Sequence, residues 1–307
     1  MEKKKDMKFR ILDILYILIA VLPLVCGIVI KVLTKPLTEG ITITGAQIYF
    51  SVPMPLQELV ITESQVNSWL VMITVLGVCL YLTHGVSERV ITKRQAAAEW
   101  IVEATQNMIR TNMGEDKYFG GFPPFIAAIM SLSAVSSLIT LIGLYPPTSD
   151  LNVVAGWAIL VFILITYYKF KCGPLHYAAS FFDPPPLAPL NIISEVATPV
   201  SMAFRHYGNI LSGSVISVLI AAGLQGLSAI VIGWLPGVLG DIPLLQIGLP
   251  AVLSVYFDVF SGCLQAFIFA MLTMLYIASG FAVDDFEALK RIRAEKRAAK
   301  QAALENQ

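Results

Sequence analysis

The sequence predicts an all-α integral membrane protein with about six helical spans, and three observations lead to this fold class. Hydrophobic residues make up 56% of the 307 residues and charged residues only 14%, whereas an average soluble domain is about 25% charged. Several apolar runs reach the roughly 20 residues that a helix needs to cross a bilayer. Lysine and arginine are concentrated toward the two ends of the chain, and neither occurs between His206 and Leu289. A water-soluble fold is therefore not expected.

Six candidate spans follow one another along the chain. The first four have ordinary lengths and cover residues 11–33, 67–83, 124–144 and 153–168. The last two are longer and cover residues 191–234 and 244–283. At 1.5 Å per residue, each of these could reach about 60 Å as one helix. Each is therefore either a bent hairpin of two spans or a single strongly tilted helix.

Basic residues indicate the orientation, because cytoplasmic loops carry the positive excess. A cytoplasmic N-terminus places the basic clusters at residues 3–10, 89–117, 169–171 and 290–300 inside, and leaves only Lys31 and Lys35 outside. We therefore expect both termini in the cytoplasm. The first apolar run is too long for a signal-peptide core, so we expect it to stay as an anchor. The expected regions are a tail with an extra span (1–35), an outer loop (36–66), a membrane domain (67–283) and a soluble helical tail (284–307).

Two loops also carry structural signals. Apolar and polar residues alternate near the start of the stretch 42–64, which predicts a short extended segment on the outer side. In residues 88–113, Ala97, Ile101, Ala104 and Met108 recur at helical spacing between charges. This pattern is typical of an amphipathic helix on the cytoplasmic side. Such a helix either lies along the inner membrane surface or is solvated, and the sequence leaves both interpretations open.

Motifs for catalysis are not found in the sequence. The histidines His84, His176 and His206 are far apart, and no zinc-protease, phosphate-loop, nucleophile-elbow or dinucleotide motif is present. The sequence therefore predicts no catalytic site on this chain, no metal site, no cofactor and no nucleic-acid partner.

Charged residues inside the long spans are the main functional candidates, because a charge near the bilayer centre costs at least about 2.5 kcal/mol and needs a partner or water. Arg205 is one of them. On a helix, Ser201, Arg205, Gly208 and Ser212 form one stripe with Asn209 beside it. Small residues allow close approach of another helix in lipid. The stripe therefore predicts a docking surface with one permanent cation.

Asp258 is the second charged candidate. With Gly262 and Gln265 it occupies positions i, i+4 and i+7, which form one stripe on a regular helix. An aspartate in an apolar helix suits a proton or ion relay if water reaches it. It could equally form a structural ion pair with Arg205. The residues alone do not separate these two interpretations.

Several segments together resemble subunit a of the F-type rotary ATP synthases. The run SMAFRHYGN at 201–209 and the run LQAFIFAMLTMLY at 264–276 carry the resemblance. The segments VNSWLVM from Val66, IGLYPP at 142–147, TSDLN at 148–152 and PLNII from Pro189 extend it in the same order. The resemblance covers about residues 58–282.

This resemblance implies a fold, a mechanism and partners. The subunit would lie beside a rotating ring of membrane hairpins that carry carboxylates, within an ATP synthase complex that includes a peripheral stalk. It would supply two offset half-channels for protons or sodium ions, in a bacterial plasma membrane. Arg205 would be the essential arginine between the half-channels, Gln265 the glutamine that faces it, and Asn209 its polar neighbour. The last two helices would be single and tilted. A secondary ion-coupled transporter is the alternative function.

Two positions depart from the family pattern. Bacterial members often have an acidic residue nine positions after the arginine, where this chain has Ser214. They often have a histidine or an acid seven positions before the glutamine, where this chain has Asp258. We therefore expect Asp258 to serve the outer half-channel, about 10 Å outward of Gln265, with Ser214 contacting water. Glu195 would either line the inner half-channel or be a solvated carboxylate at a helix end.

Overall fold

The computed structural model describes residues 2–34, 45–55, 58–87, 92–114, 121–174, 177–178, 181–182, 184–232, 248–281, 286–287, 290–292 and 294–295. Its main helices are α1 (Glu2–Thr34), α2 (Glu63–Thr83), α3 (Lys93–Met113), α4 (Phe122–Leu138), α5 (Leu151–Cys172) and α6 (Ala188–Ile232). The last helix, α7, is continuous in three segments: α-helical Leu249–Ser254, π-helical Val255–Ser261 and α-helical Gly262–Gly280.

Six helical segments in the described part of the chain are long and apolar enough to cross a membrane, as the sequence predicts. They lie at Ile11–Thr34, Glu63–Thr83, Phe122–Ile142, Leu151–Cys172, Pro185–Ser228 and Val252–Gly280. The predicted ends at 234, 244 and 283 fall outside the described residues. The chain is a multi-pass membrane protein.

The long helices are single helices rather than hairpins. Helix α6 runs through 45 residues and contains Pro199 without a break, which corresponds to about 68 Å at 1.5 Å per residue. This is roughly twice the hydrocarbon thickness, so the helix must tilt or extend beyond the bilayer. Helix α7 likewise continues from Leu249 to Gly280. The prediction of long single helices is confirmed.

Helices α3 to α7 share one apolar core. Each helix contributes at least one nearly inaccessible side chain: Ile109 of α3, Phe122 of α4, Val161 of α5, Met202 of α6 and Phe269 of α7. The two long helices differ in their position. In the most apolar stretch of α7, 44% of the residues are buried, whereas in that of α6 only 6% are. Helix α6 therefore lies at the edge of the bundle and leaves one face open.

The outer-loop prediction of an extended segment is confirmed in the described residues. Strand β1 (Ile48–Val52) pairs antiparallel with β2 (Leu59–Thr62), and β2 leads directly into α2. Two side-chain bonds join the start of α2 to the turn between α4 and α5. The Ser64 hydroxyl donates to Asp150, and the Asn67 amide donates to the Tyr145 carbonyl at 2.8 Å. We call this end of the bundle the hairpin end.

The extra N-terminal span packs tightly against α2. A Cβ placed on Gly77 would lie 2.5 Å from the backbone nitrogen of Ala20, so the two helices touch at a residue without a side chain. At the end away from the hairpin, Asp13 accepts hydrogen bonds from Arg94 of α3 at 2.7 Å and from His84 at 3.0 Å. Helix α1 is therefore an integral part of the bundle.

Only part of the predicted face of α3 packs against the bundle, because Met108 lies against the core and the other three residues do not. Ala97, Ile101 and Ala104 are exposed, and Trp100 beside them is 70% exposed. The buried positions include Ile109 and Met113, which join the core. The bundle therefore contacts mainly a neighbouring face of this helix, and a position along the membrane surface stays a prediction. Most of the predicted soluble tail at 284–307 lies outside the described residues.

Substituting Gly77 with valine should destabilise the protein. The new side chain meets backbone atoms of α1 that cannot rotate aside, so overpacking should cost about 1–3 kcal/mol. The thermal midpoint of the purified protein in detergent should fall accordingly. Gly223→Ala is the matched control, because a Cβ there meets nothing within 4 Å. Equal midpoints for both variants would contradict this packing.

Candidate functional site

Arg205 projects from the open face of α6. The residue is exposed, and among the described residues no carboxylate lies within the 4.0 Å of its guanidinium that would make an ion pair. Ser201 and Ser212 are exposed on the same stripe, and a Cβ on Gly208 would meet open space. A permanent charge in an apolar span requires a partner or water. The described part of the chain supplies no anionic partner.

Asn209 joins this helix to the π-helical segment of α7. Its amide nitrogen lies 2.9 Å from the Ser261 hydroxyl, and its amide oxygen lies 3.1 Å from the same atom. One helical turn further on, an ideal Cβ on Gly213 would lie 3.1 Å from the ring of Phe257, so the two residues pack closely. These contacts fix α6 against α7 on the side of Arg205 that points toward the hairpin end.

Asp258 lies within the π-helical segment and is half-buried. It forms no ion pair with Arg205 in the structure. A π-helical stretch has more residues per turn than an α-helix and often marks a functional position. Asp258 therefore does not lie on the stripe that it would share with Gly262 and Gln265 on a regular α-helix, because its own turn is π-helical and contains more residues.

The other members of that stripe face the bundle. A Cβ on Gly262 would lie 2.5 Å from the side chain of Ser137, so α7 and α4 make close contact here. Gln265 is only 5% exposed. Ser214 is exposed, and its hydroxyl donates to the Leu211 carbonyl of its own helix at 2.8 Å. No direct contact described by the structure joins Ser214, Asp258 and Gln265.

A cavity of about 480 Å³ lies near the hairpin end. Residues from β2, α2, α4, α5 and the turn before α5 line it, and its polar members are Thr62, Gln65, Ser68, Ser136, Asp150 and Asn152. Trp157 forms part of its wall. Hydroxyl, amide and carboxylate groups at this density can hold water.

A second cavity of about 400 Å³ lies at the opposite end of the bundle, where α5 and α7 end. Glu195 of α6 lines it and accepts hydrogen bonds from Lys169 at 2.7 and 2.8 Å and from the Tyr177 hydroxyl at 3.1 Å. The Lys169 side chain also lies against Gly280. Glu195 is thus an ion-paired cavity residue rather than a fully solvated carboxylate at a helix end.

Tyr177 stays protonated in this arrangement. Burial and the negative charge of Glu195 raise its pKa to about 12, because both disfavour the phenolate. The hydroxyl therefore remains a hydrogen-bond donor to the carboxylate throughout the physiological range.

His206 is a residue that the sequence did not single out. It is completely buried, its Nε2 lies 3.3 Å from the Ser133 hydroxyl, and its Nδ1 has no hydrogen-bond partner among the described residues. The rings of Trp157 and Phe269 pack edge-on against it. The sequence feature that could have identified His206 is its position directly after Arg205. One residue is about 100° on a helix, so a polar neighbour of an open-face arginine can point into the bundle.

The described residues contain no group of three or more histidine, cysteine or acidic side chains arranged to hold a metal ion. The histidines predicted to be unclustered are separate where they are described. His84 contacts Asp13, and His206 contacts Ser133. His176 lies outside the described residues.

Comparison with known proteins gives the family. The family profile described as ATP synthase A chain matches residues 65–278. A subunit a of ATP synthase from Desulforamulus reducens is 31% identical over 219 residues, which cover 70% of this chain and 78% of that protein. One from Crocosphaera subtropica is 33% identical over 219 residues, covering 70% and 85%. One from Legionella pneumophila is 28% identical over 233 residues, covering 75% and 91%. On the extent of these matches, the chain belongs to the ATP synthase A chain family.

Proposed function

We propose that this chain is the stator subunit a of a bacterial rotary ATP synthase. It is the ion-translocating subunit of the membrane sector and contributes no catalytic site to ATP chemistry. The observation that supports this role most directly is the exposed Arg205, which has no anionic partner in the described chain and lies on the open face of α6. A ring of small membrane hairpins that carry carboxylates is the partner that matches a lone cation on a small-residue stripe.

Arg205 performs two tasks in this mechanism. Its guanidinium attracts each arriving ring carboxylate and favours its ionised form, so the carboxylate releases its proton or sodium ion. Its fixed charge also repels cations that would otherwise pass directly between the half-channels. Arginine suits both tasks because it keeps its charge in any protein environment. Asn209, held by Ser261, keeps the helices in register beside it.

The two cavities are the candidates for the half-channels. They lie at opposite ends of the bundle, and both contain polar side chains. With cytoplasmic termini, the hairpin end faces outward and the Glu195 cavity faces the cytoplasm. Asp258 then lies on the outer side of Arg205 and passes ions between outer water and the ring, with Ser214 contacting water on α6. Gln265 is buried and no described hydrogen bond joins it to Arg205, so its role beside the arginine is assigned from the family resemblance alone.

Secondary transport has no observation in its favour. Many secondary transporters bind their substrates at discontinuous helices near the middle of the membrane. Helix α6 instead runs unbroken through 45 residues. The proposed partners are accordingly the carboxylate ring, a peripheral-stalk subunit and the rest of the synthase.

Arg205→Ala should abolish ATP synthesis driven by an ion gradient while the complex still assembles. The side chain is exposed on the open face, so its loss leaves the helix packing intact. Inverted membrane vesicles with an imposed gradient measure synthesis, and blue native gels measure assembly. Arg110→Ala on the surface of α3 is the matched control and should retain synthesis. Normal coupled synthesis in Arg205→Ala would refute the proposed function.

Asp258→Asn should slow ion flux from the outer side. The amide preserves size and hydrogen bonding but cannot bind and release a proton, and it holds a sodium ion less well. Passive flux through vesicles stripped of the catalytic sector measures this step in each direction. Glu103→Gln, an exposed residue of α3, should conduct normally. Unchanged flux in Asp258→Asn would show that Asp258 contributes only to packing.

Glu195→Gln should slow flux on the cytoplasmic side and lower the pKa of Tyr177 from about 12. The neighbouring charge disappears while the burial remains, so the pKa should fall only part of the way toward 10. Tyrosinate absorbance, corrected with Tyr177→Phe, follows the titration. A pKa that does not move would show that Glu195 and Tyr177 are not in contact in the protein.

A further inference from the structure

His206, the residue next to Arg205, packs against the wall of the hairpin-end cavity. Ser136 and Trp157 line the cavity. Ser133, three residues before Ser136 and therefore on the same side of α4, contacts His206 Nε2 at 3.3 Å. Trp157 also touches the imidazole, with ring centroids 6.1 Å apart. His206 thus contacts one wall residue, Trp157, directly, and its hydrogen-bond partner Ser133 lies one helical step from a second wall residue, Ser136.

The second ring nitrogen of His206 is the unusual feature. Nδ1 is buried and lacks a hydrogen-bond partner among the described residues. Leaving a buried polar atom unsatisfied costs about 1–3 kcal/mol. Lipid cannot form the missing hydrogen bond to Nδ1, so a buried water molecule is the usual partner of such an atom within a membrane. The polar cavity whose wall includes Trp157 can hold such water.

We propose that His206 is a proton-carrying residue behind the Trp157 wall of the hairpin-end cavity, with Nδ1 as the atom that binds and releases the proton. This inference rests on the proposed function and on protons as the transported ion. It adds a relay to the outer half-channel on the bundle side of α6, separate from Asp258 in α7. The contacts around the imidazole come from Ser133 on α4, Trp157 on α5 and Phe269 on α7, none of which is charged.

The proton transfer balances at a single nitrogen. In the tautomer with a proton on Nε2, that N–H donates to the Ser133 hydroxyl and leaves the Nδ1 lone pair free. A hydronium ion from the cavity loses one O–H bond as the Nδ1–H bond forms, which gives an imidazolium and a water molecule. The Nδ1–H bond then breaks, and the proton moves to water on the Arg205 side. Neutral imidazole returns in its original tautomer, and a rotation of the ring about χ2 between uptake and release turns Nδ1 from the cavity side to the Arg205 side.

Passive proton flux in vesicles that contain the whole membrane sector tests this inference. A potassium diffusion potential drives the flux, and a pH-sensitive dye records it. His206→Gln keeps a hydrogen-bonding side chain, and His206→Leu keeps the volume, but neither binds a proton. Both should lower the flux at least about tenfold, a modest share of what proton-transfer groups contribute in enzymes. His84→Gln, which alters a histidine at the opposite end of α2, should conduct normally.

Chemical rescue separates proton transfer from packing. Added imidazole should restore flux in His206→Ala, whereas pyrrole, which has the same ring size but no basic nitrogen, should not. Restoration by both compounds would show that His206 only fills space and would overturn the inference. Normal flux in assembled His206→Gln or His206→Leu would also overturn it.

The controls distinguish failure of this inference from failure of the proposed function. If the unmodified vesicles conduct protons and Arg205→Ala abolishes coupled synthesis, a normal His206 variant rejects the relay alone. If the unmodified vesicles conduct sodium ions instead of protons, the relay is rejected and the stator role remains. If Arg205→Ala retains coupled synthesis, the proposed function itself fails.

Discussion

The unneutralised charge of Arg205 is the constraint on which the arrangement of this protein depends. A cation in an apolar span must meet an anion or water, and the described chain offers the guanidinium no carboxylate. Helix α6 therefore lies at the edge of the bundle with its small-residue face open. The other helices support α6 from behind, and α7 occupies the most buried position among the candidate spans. The proposed ring supplies the missing anion, one carboxylate at a time.

Several polar groups behind this face form pairs at the two ends of the bundle. At the hairpin end, Ser64 and Asn67 join α2 to the turn before α5. At the opposite end, Lys169 and Tyr177 hold Glu195, and Arg94 and His84 hold Asp13. A cavity with a polar lining lies beside each set. The two cavities lie at opposite ends of the bundle, as the proposed half-channels require.

The sequence was most informative about charged residues in the apolar spans, because burying a charge in a membrane costs free energy. Arg205 and Asp258 could be singled out because charges in long apolar spans are rare, and α6 could be predicted as long because its apolar run exceeds a single crossing. It was less informative about the faces of helices. Three of the four residues on the apolar face predicted for α3 are exposed, and Ile109 and Met113 supply its fully buried contacts. The π-helical segment at Val255–Ser261 also escaped prediction, because apolar periodicity over seven residues does not distinguish an α-helix from a slightly wider one.

By itself, the sequence determined the membrane class, the six spans, the stripe of small residues around Arg205 and the family, because composition, length and local spacing are properties of the chain alone. Only the tertiary structure decided which distant residues meet. It placed His206 beside Ser133, Glu195 beside Lys169, and Gly77 against Ala20. These contacts depend on which helices are neighbours and on how each is rotated. In a membrane, nearly every helix is apolar on most faces, so hydrophobic pattern alone cannot fix that rotation, and close packing and polar pairing do.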